Sequence, residues 1–117
     1  MVISTLRILP LAKQRRETLE ILRSVRGPTQ AHPGCMACRI YEEDGPEKAI
    51  LYYERWTSWA AFQEHVRSEL YRRVLAALDL SSQPPEVCVH HVSTTDGIDL
   101  LRQVRSRVEL AFDRVNH

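Results

Sequence analysis

The stretch LYYERWTSWAAFQEH, residues 51–65, changes from the period of a strand to the period of a helix. In its first half, strand alternation puts Tyr52, Glu54 and Trp56 on one face. The Thr-Ser pair that follows can cap a helix, whose apolar residues then recur at spacings of three and four. The stretch therefore predicts a strand that leads directly into a helix lying over the same sheet.

This geometry brings an imidazole towards the strand. Seven helical residues at a rise of about 1.5 Å carry His65 back along the strand to the level of Tyr53 or Glu54. The pattern places His65 at the boundary between the apolar and polar faces of the helix, beside the apolar stripe rather than within it. An imidazole there can act as a base towards a pocket, or it can hydrogen-bond a neighbour at the surface. The pattern alone leaves both interpretations open.

The rest of the chain predicts a complete α+β domain. Gly27 and Pro28 predict that the first helix ends near Arg26, and the Asp44-Gly45 pair predicts a hairpin turn. The predicted strands cover residues 2–9, 35–43, 48–56 and 86–92, and the predicted helices begin near residues 14, 58 and 96. The resulting order, β-α-β-β-α-β with an extra C-terminal helix, is the ferredoxin-like arrangement of an antiparallel sheet with helices on one face.

Apolar stripes run along the last two predicted helices. The second helix, which is expected to break near Ser68, carries Trp59, Phe62, Val66, Leu70, Val74 and Leu78, and the C-terminal helix carries Ile98, Leu101, Val104, Val108, Ala111 and Val115. We expect residues 1–94 to form the ferredoxin-like domain and residues 95–117 to be a helical extension of it. Because one sheet face lacks helices, we expect the chain to form a homodimer.

Composition excludes several classes of protein. The chain has 117 residues with 44% hydrophobic and 26% charged residues, which is typical of one globular domain. Sixteen basic and fifteen acidic residues give a net charge of +1, so no nucleic acid or anionic membrane is expected as a partner. The odd count of three cysteines favours a reducing, cytoplasmic location over a secreted disulfide framework.

The pair Cys35 and Cys38 has the spacing of a redox or metal motif. It enters a predicted strand, whereas redox pairs normally open a helix that lowers the thiol pKa. The nearby histidines and Cys88 form no second closely spaced pair of the kind zinc requires. We therefore interpret both cysteines as structural and expect no metal site.

Four segments together carry a family resemblance over about residues 2–93. They are the loop His32-Pro33-Gly34-Cys35 with the strand ending Arg39-Ile40-Tyr41, the strand Leu51-Tyr52-Tyr53-Glu54-Arg55-Trp56, the helix with Ala60, His65 and Ser68, and a closing β-strand. In combination they resemble the antibiotic biosynthesis monooxygenase superfamily of small dimeric α+β barrel proteins, which includes quinol monooxygenases.

The resemblance implies a chemistry as well as a fold. Oxygenases of this superfamily use no metal or flavin cofactor, because an electron-rich phenol or quinol can itself reduce oxygen once it is deprotonated. The chain is then expected to be a cofactor-independent monooxygenase of a quinol or polycyclic phenol. His65 would be the catalytic base and Trp56 the stacking wall, while Tyr52, Glu54 and Tyr71 would bind the aromatic substrate.

Two other functions remain open at this stage. Some relatives bind and degrade haem with an asparagine in the first strand, but the first strand here, VISTLRIL, contains none. The fold also serves as a dimeric module that binds small molecules without turnover. A deep pocket containing His65 would favour the enzyme, and a side chain filling that pocket would favour the module.

Overall fold

The computed structural model describes residues 1–116, with side chains described through residue 107. Its strands are β1 (Val2–Ile8), β2 (Cys35–Glu42), β3 (Ile50–Trp56) and β4 (Glu86–His91), and its helices are α1 (Arg15–Gln30), α2 (Trp59–Arg67), α3 (Tyr71–Asp79) and α4 (Ile98–Asn116). A short 3₁₀ helix, Ala12–Gln14, precedes α1. This order confirms the predicted α+β, ferredoxin-like fold with an extra C-terminal helix.

The four strands form one antiparallel sheet in the order β2-β3-β1-β4. Strands β1 and β3 lie at its centre, where Val2 pairs with Trp56 and Leu6 pairs with Tyr52. Alternate residues of both strands are buried, because α1, α2 and α3 cover one face. The pleat therefore delivers every second side chain of β3 to the interior.

Two apolar clusters fill the space between helices and sheet. The larger joins α1 and α3 to β1, β2 and β3 through Leu6, Ile8, Leu19, Leu22, Val25, Cys38, Ile50, Tyr52, Tyr71, Val74 and Ala77. The smaller consists of Val2, Trp56 and Phe62, and it lies where β3 passes into α2. Of the residues considered below, Trp56 belongs to this smaller cluster, and Tyr52 and Tyr71 belong to the larger one.

Helix α1 does not end where the sequence predicts. It continues through Gly27 and Pro28 to Gln30, so the prediction of an end near Arg26 is wrong. An internal proline removes one helical hydrogen bond and costs about 3 kcal/mol. Val25 and Thr29 are both buried on the sheet side, and their packing offsets that cost. The extra turn carries Thr29 to a position beside the C-terminal half of α2.

The apolar stripe of the second predicted helix is also interrupted. Ser68 has an extended backbone, with ψ at 156°, and separates α2 from α3 as expected. Because of this break, α2 and α3 have different orientations about their own axes. In α2, Trp59 and Val66 are 44% and 38% exposed, whereas His65 is only 4% exposed. The prediction that His65 lies at the boundary between the apolar and polar faces of the helix is therefore wrong, because His65 is on the buried face of α2.

The far face of the sheet and α4 lack cover from the described part of the chain. Ile98, Leu101 and Val104 of α4 are 60%, 67% and 48% exposed. The side chains of Val108, Ala111 and Val115 lie outside those described, so the burial of the stripe stays a prediction. Within the described residues, none of the helices combines the length and the apolar composition that crossing a membrane requires.

Candidate active site

His65 and Glu54 meet inside the domain. The Nε2 atom of His65 lies 3.1 Å from Oε2 of Glu54, and the two residues are 4% and 1% exposed. Strand alternation turns Glu54 inwards, and the Ser58 hydroxyl caps α2 by accepting a hydrogen bond from the Ala61 N–H. This cap fixes the residue at which α2 begins, and a helix that begins there brings His65 level with Glu54. The predicted proximity of the two side chains is confirmed.

Trp56 completes the surroundings of the carboxylate. Its Nε1–H donates a 2.8 Å hydrogen bond to Oε1 of Glu54, and its ring centroid lies 4.7 Å from that of His65. Each oxygen of Glu54 thus faces a ring nitrogen. A carboxylate only accepts hydrogen bonds, so this arrangement favours the tautomer in which His65 carries its proton on Nε2. The Nδ1 atom is then the nitrogen that can accept a proton.

A second imidazole lies on Trp56. The rings of His32 and Trp56 meet edge to face with centroids 5.2 Å apart, and His32 Nδ1 accepts a 3.0 Å hydrogen bond from the Gly34 N–H. The loop can approach α2 because Gly34 has no side chain: a Cβ atom there would lie 2.6 Å from the Cβ of Ala61. Sequence reasoning did not assign His32 a role in this site, although His32 opens the His-Pro-Gly-Cys segment.

The two tyrosines expected to bind substrate, Tyr52 and Tyr71, are both buried. Tyr71 contacts the ring of His65 edge to face at 5.1 Å. Burial, together with the charge of Glu54, raises the pKa of Tyr71 to about 12. Tyr52 accepts a 3.2 Å hydrogen bond from the Cys38 thiol. Burial and the charge of Glu54 raise the pKa of Tyr52 above that of Tyr71. Both phenols therefore stay neutral hydrogen-bond donors at physiological pH.

The cysteines follow the same electrostatics. Burial raises the pKa of Cys38 to about 12 against the opposing effect of its hydrogen bond to Tyr52, and Glu54 raises it further. Burial and Glu54 also raise the pKa of Cys35. Both thiols are thus protonated and poor nucleophiles at neutral pH. The described residues contain no group of three or more His, Cys, Asp or Glu side chains arranged to hold a metal ion.

A cleft of about 160 Å³ opens beside His65, between the last turn of α1 and α2. Of the five residues that the sequence proposed for the site, His65 alone lines it. Trp56, Glu54, Tyr52 and Tyr71 are all buried and do not line the cleft, and their catalytic or substrate-binding roles stay predictions. The cleft is lined by Pro28, Thr29, His32, Glu64, His65, Ser68 and Leu70.

Comparison with known proteins identifies the family of the chain. Residues 1–77 match the model of the antibiotic biosynthesis monooxygenase family. The chain belongs to that family. The matched segment contains the cleft, both imidazoles and the strand with Glu54, whereas β4 and α4 lie beyond it.

Solved structures of other proteins share the fold of this antibiotic biosynthesis monooxygenase family member. Rv0793 of Mycobacterium tuberculosis is 25% identical, with a TM-score of 0.73 over 82% of this chain and 98% of that protein. A crystal structure of an antibiotic biosynthesis monooxygenase is 18% identical, with a TM-score of 0.70 over 80% of this chain and all of that one (100%). An uncharacterised protein of Synechocystis sp., sll1783, is 23% identical over 86 residues, 73% of this chain. The matched region spans 58% of that relative's length.

Proposed function

We propose that the protein is a cofactor-independent monooxygenase that oxidises a quinol or phenol with molecular oxygen. The observation that carries the proposal is the buried pair of Glu54 and His65, whose imidazole borders a cleft in a member of a monooxygenase family. A buried carboxylate that fixes the tautomer of an adjacent histidine is a recurrent way to build a general base.

In the first step, His65 takes the proton of a substrate hydroxyl. Its Nε2–H donates to Glu54, so Nδ1 accepts the proton and an imidazolium forms next to the carboxylate. The negative charge of Glu54 stabilises that imidazolium in an environment from which water is excluded. Glu54 is therefore a positioning and electrostatic residue, and it does not need to touch the substrate.

The electrons for oxygen reduction come from the substrate. A quinol and one O₂ give a hydroxyquinone and one water: a C–O bond replaces a ring C–H bond, and both phenolic O–H bonds are lost. The ring loses four electrons in total and the two oxygen atoms gain them. The protein supplies the proton acceptor, the orientation of the ring and the exclusion of bulk water.

The aromatic residues behind His65 hold the base in place. Trp56 is fully buried between His32 and His65, so it fixes both imidazoles, and it would stack on a substrate only after His32 moves. Tyr71 packs edge to face on the ring of His65 and is kept neutral by its raised pKa, so it supports the base and does not reach the cleft.

We also propose that the working form is a cytoplasmic homodimer. The face of the sheet opposite the helices presents Ile3, Leu51, Tyr53 and the 44% exposed Tyr41, which a second copy would cover. Isologous pairing of one apolar face with itself is the commonest way in which such a surface is buried.

A second candidate function is a dimeric module that binds a small molecule without turnover. The complete burial of Trp56 favours it, because the side chain expected to stack on a substrate does not line the cleft. The two candidates differ in whether oxygen is consumed.

Isotopic oxygen tests the proposed function. The purified protein is incubated with hydroquinone, or with a two-ring naphthalenediol, under ¹⁸O₂, and the product is analysed by mass spectrometry. The monooxygenase proposal requires one ¹⁸O atom in the product and the other in water. An unlabelled quinone with hydrogen peroxide would indicate an oxidase, and binding without any product would leave the module as the function.

A further inference from the structure

Thr29 stands out among the buried polar side chains. It is 1% exposed on α1, and its Oγ1 is one of two buried side-chain polar atoms without a hydrogen-bond partner in the described part of the chain. Thr18, on the same helix and 0% exposed, donates its hydroxyl to the Gln14 carbonyl at 2.9 Å. Helix α1 can therefore provide a carbonyl acceptor for a buried threonine hydroxyl, as it does for Thr18, but it provides none for Thr29.

The position of Thr29 indicates a role for its unpaired hydroxyl in binding a ligand. Thr29 lines the cleft beside His65, and it reaches that place because α1 continues through Gly27 and Pro28 against local preference. Places where a chain departs from such preferences are often functional. A helical threonine also occupies two χ1 rotamers readily, so a change from one rotamer to the other can present Oγ1 to a ligand in the cleft.

The size of the cleft limits what that ligand can be. An apolar cavity of about 150 Å³ holds one benzene ring, and this cleft measures about 160 Å³. Its volume therefore matches a single aromatic ring, and a fused second ring would have to extend out of the cleft into solvent. Its polar lining residues are His32, Glu64, His65, Ser68 and Thr29. Of these, only His65 on α2 and Thr29 on α1 are almost wholly buried.

We propose that the cleft binds a single-ring aromatic diol, with one oxygen at His65 and the second oxygen held by the Thr29 hydroxyl. This inference rests on the proposed function for the role of His65, and it adds a substrate class and a positioning residue. A buried hydroxyl that is paired only when the diol is bound discriminates against phenols that lack the second oxygen, because these leave it unpaired.

The test uses Thr29→Val, which removes the hydroxyl and keeps the shape of the side chain. The matched control is Thr18→Val, on the same helix and equally buried, whose hydroxyl serves the helix itself. Binding of hydroquinone, phenol and 1,4-naphthalenediol is measured by calorimetry without oxygen, and oxygen consumption is measured separately. Folding of each variant is checked by circular dichroism.

We expect the wild-type protein and Thr18→Val to bind hydroquinone more tightly than phenol, by roughly 3- to 10-fold, the usual effect of one hydrogen bond. Thr29→Val should bind both equally and should consume oxygen with a raised KM for hydroquinone. In all three proteins the naphthalenediol should bind more weakly than hydroquinone.

The outcomes separate this inference from the proposed function. Turnover of hydroquinone with unchanged selectivity in Thr29→Val overturns the role of Thr29 and leaves the oxygenase proposal intact. Selective binding that depends on Thr29 without oxygen consumption supports the diol site and removes the oxygenase. Naphthalenediol bound as tightly as hydroquinone contradicts the single-ring site, and the absence of binding by every compound overturns both proposals.

Discussion

The imidazole of His65 and the carboxylate of Glu54 form a hydrogen-bonded pair 3.1 Å apart that is almost wholly removed from solvent. The pair joins α2 to the central strand β3, and burial, reinforced by the same carboxylate, raises the pKa of Tyr52, Tyr71 and both cysteines near it. Burial and this carboxylate therefore act together to keep the neighbouring phenols and thiols protonated.

Replacing Glu54 by glutamine should reverse the tautomer of the base. The amide oxygen can still accept from Trp56, but the amide NH₂ then faces Nε2 of His65 and requires the proton to be on Nδ1. We expect oxygen consumption with a quinol to fall by roughly 10²- to 10⁴-fold while the fold is kept. Glu69→Gln, at an exposed position after α2, is the control and should retain wild-type activity. Wild-type activity in Glu54→Gln would show that the carboxylate does not orient the base.

Stability should fall in alkaline solution because buried acids resist ionisation. The pKa values of Cys38 and Tyr71 rise from 9.0 and 10.0 to about 12 on folding, so the unfolded chain loses these protons first. The free energy of unfolding should therefore be constant below about pH 9 and decrease as the pH rises towards 12, by up to about 1.4 kcal/mol per pH unit for each group. Urea unfolding at several pH values measures this, and Tyr71→Phe should flatten the curve between pH 10 and 12. An equal slope in that variant would mean that Tyr71 is not the titrating group.

Close packing of the His32 loop against α2 makes Gly34 indispensable. An alanine Cβ at Gly34 would lie 2.6 Å from the Cβ of Ala61, so α2 would have to shift. We expect Gly34→Ala to cost about 1 to 3 kcal/mol of unfolding free energy and to displace His65 from Glu54. At Gly27, by contrast, an added Cβ meets nothing within 4 Å, and Gly27→Ala should stabilise α1 by about 0.5 to 1 kcal/mol. Chemical denaturation of the two variants checks both signs, and equal stability in Gly34→Ala would contradict the packing argument.

The exposed stripe of α4 should contribute to assembly. Leu101 and Val104 are largely exposed in one chain, so replacing both with glutamine should weaken the dimer or lower the melting temperature. Gln103→Ala, at an exposed position on another side of α4, is the control. Light scattering should give twice the 13.6 kDa chain mass for the wild-type protein. A monomer at micromolar concentration would refute the homodimer, and an unchanged double variant would leave α4 without a role in it.

Much of the site could be inferred from sequence because it follows from regular geometry. Alternation along β3 turns Glu54 and Trp56 inwards, and helical rise brings His65 level with them. The extent of His65's burial could not be inferred, because it depends on how α2 and α3 rotate on either side of Ser68. Thr29 was missed for another reason: Gly27 and Pro28 predict a helix end, and tertiary packing overrides that local signal.

The most direct test of the proposed chemistry is oxygen consumption by His65→Ala with hydroquinone across pH 6 to 9. Loss of a general base should reduce the rate by roughly 10²- to 10⁴-fold at every pH, with circular dichroism unchanged. If the wild-type protein consumes oxygen and His65→Ala does so at the same rate over the whole range, the imidazole is structural and the proposed mechanism is wrong.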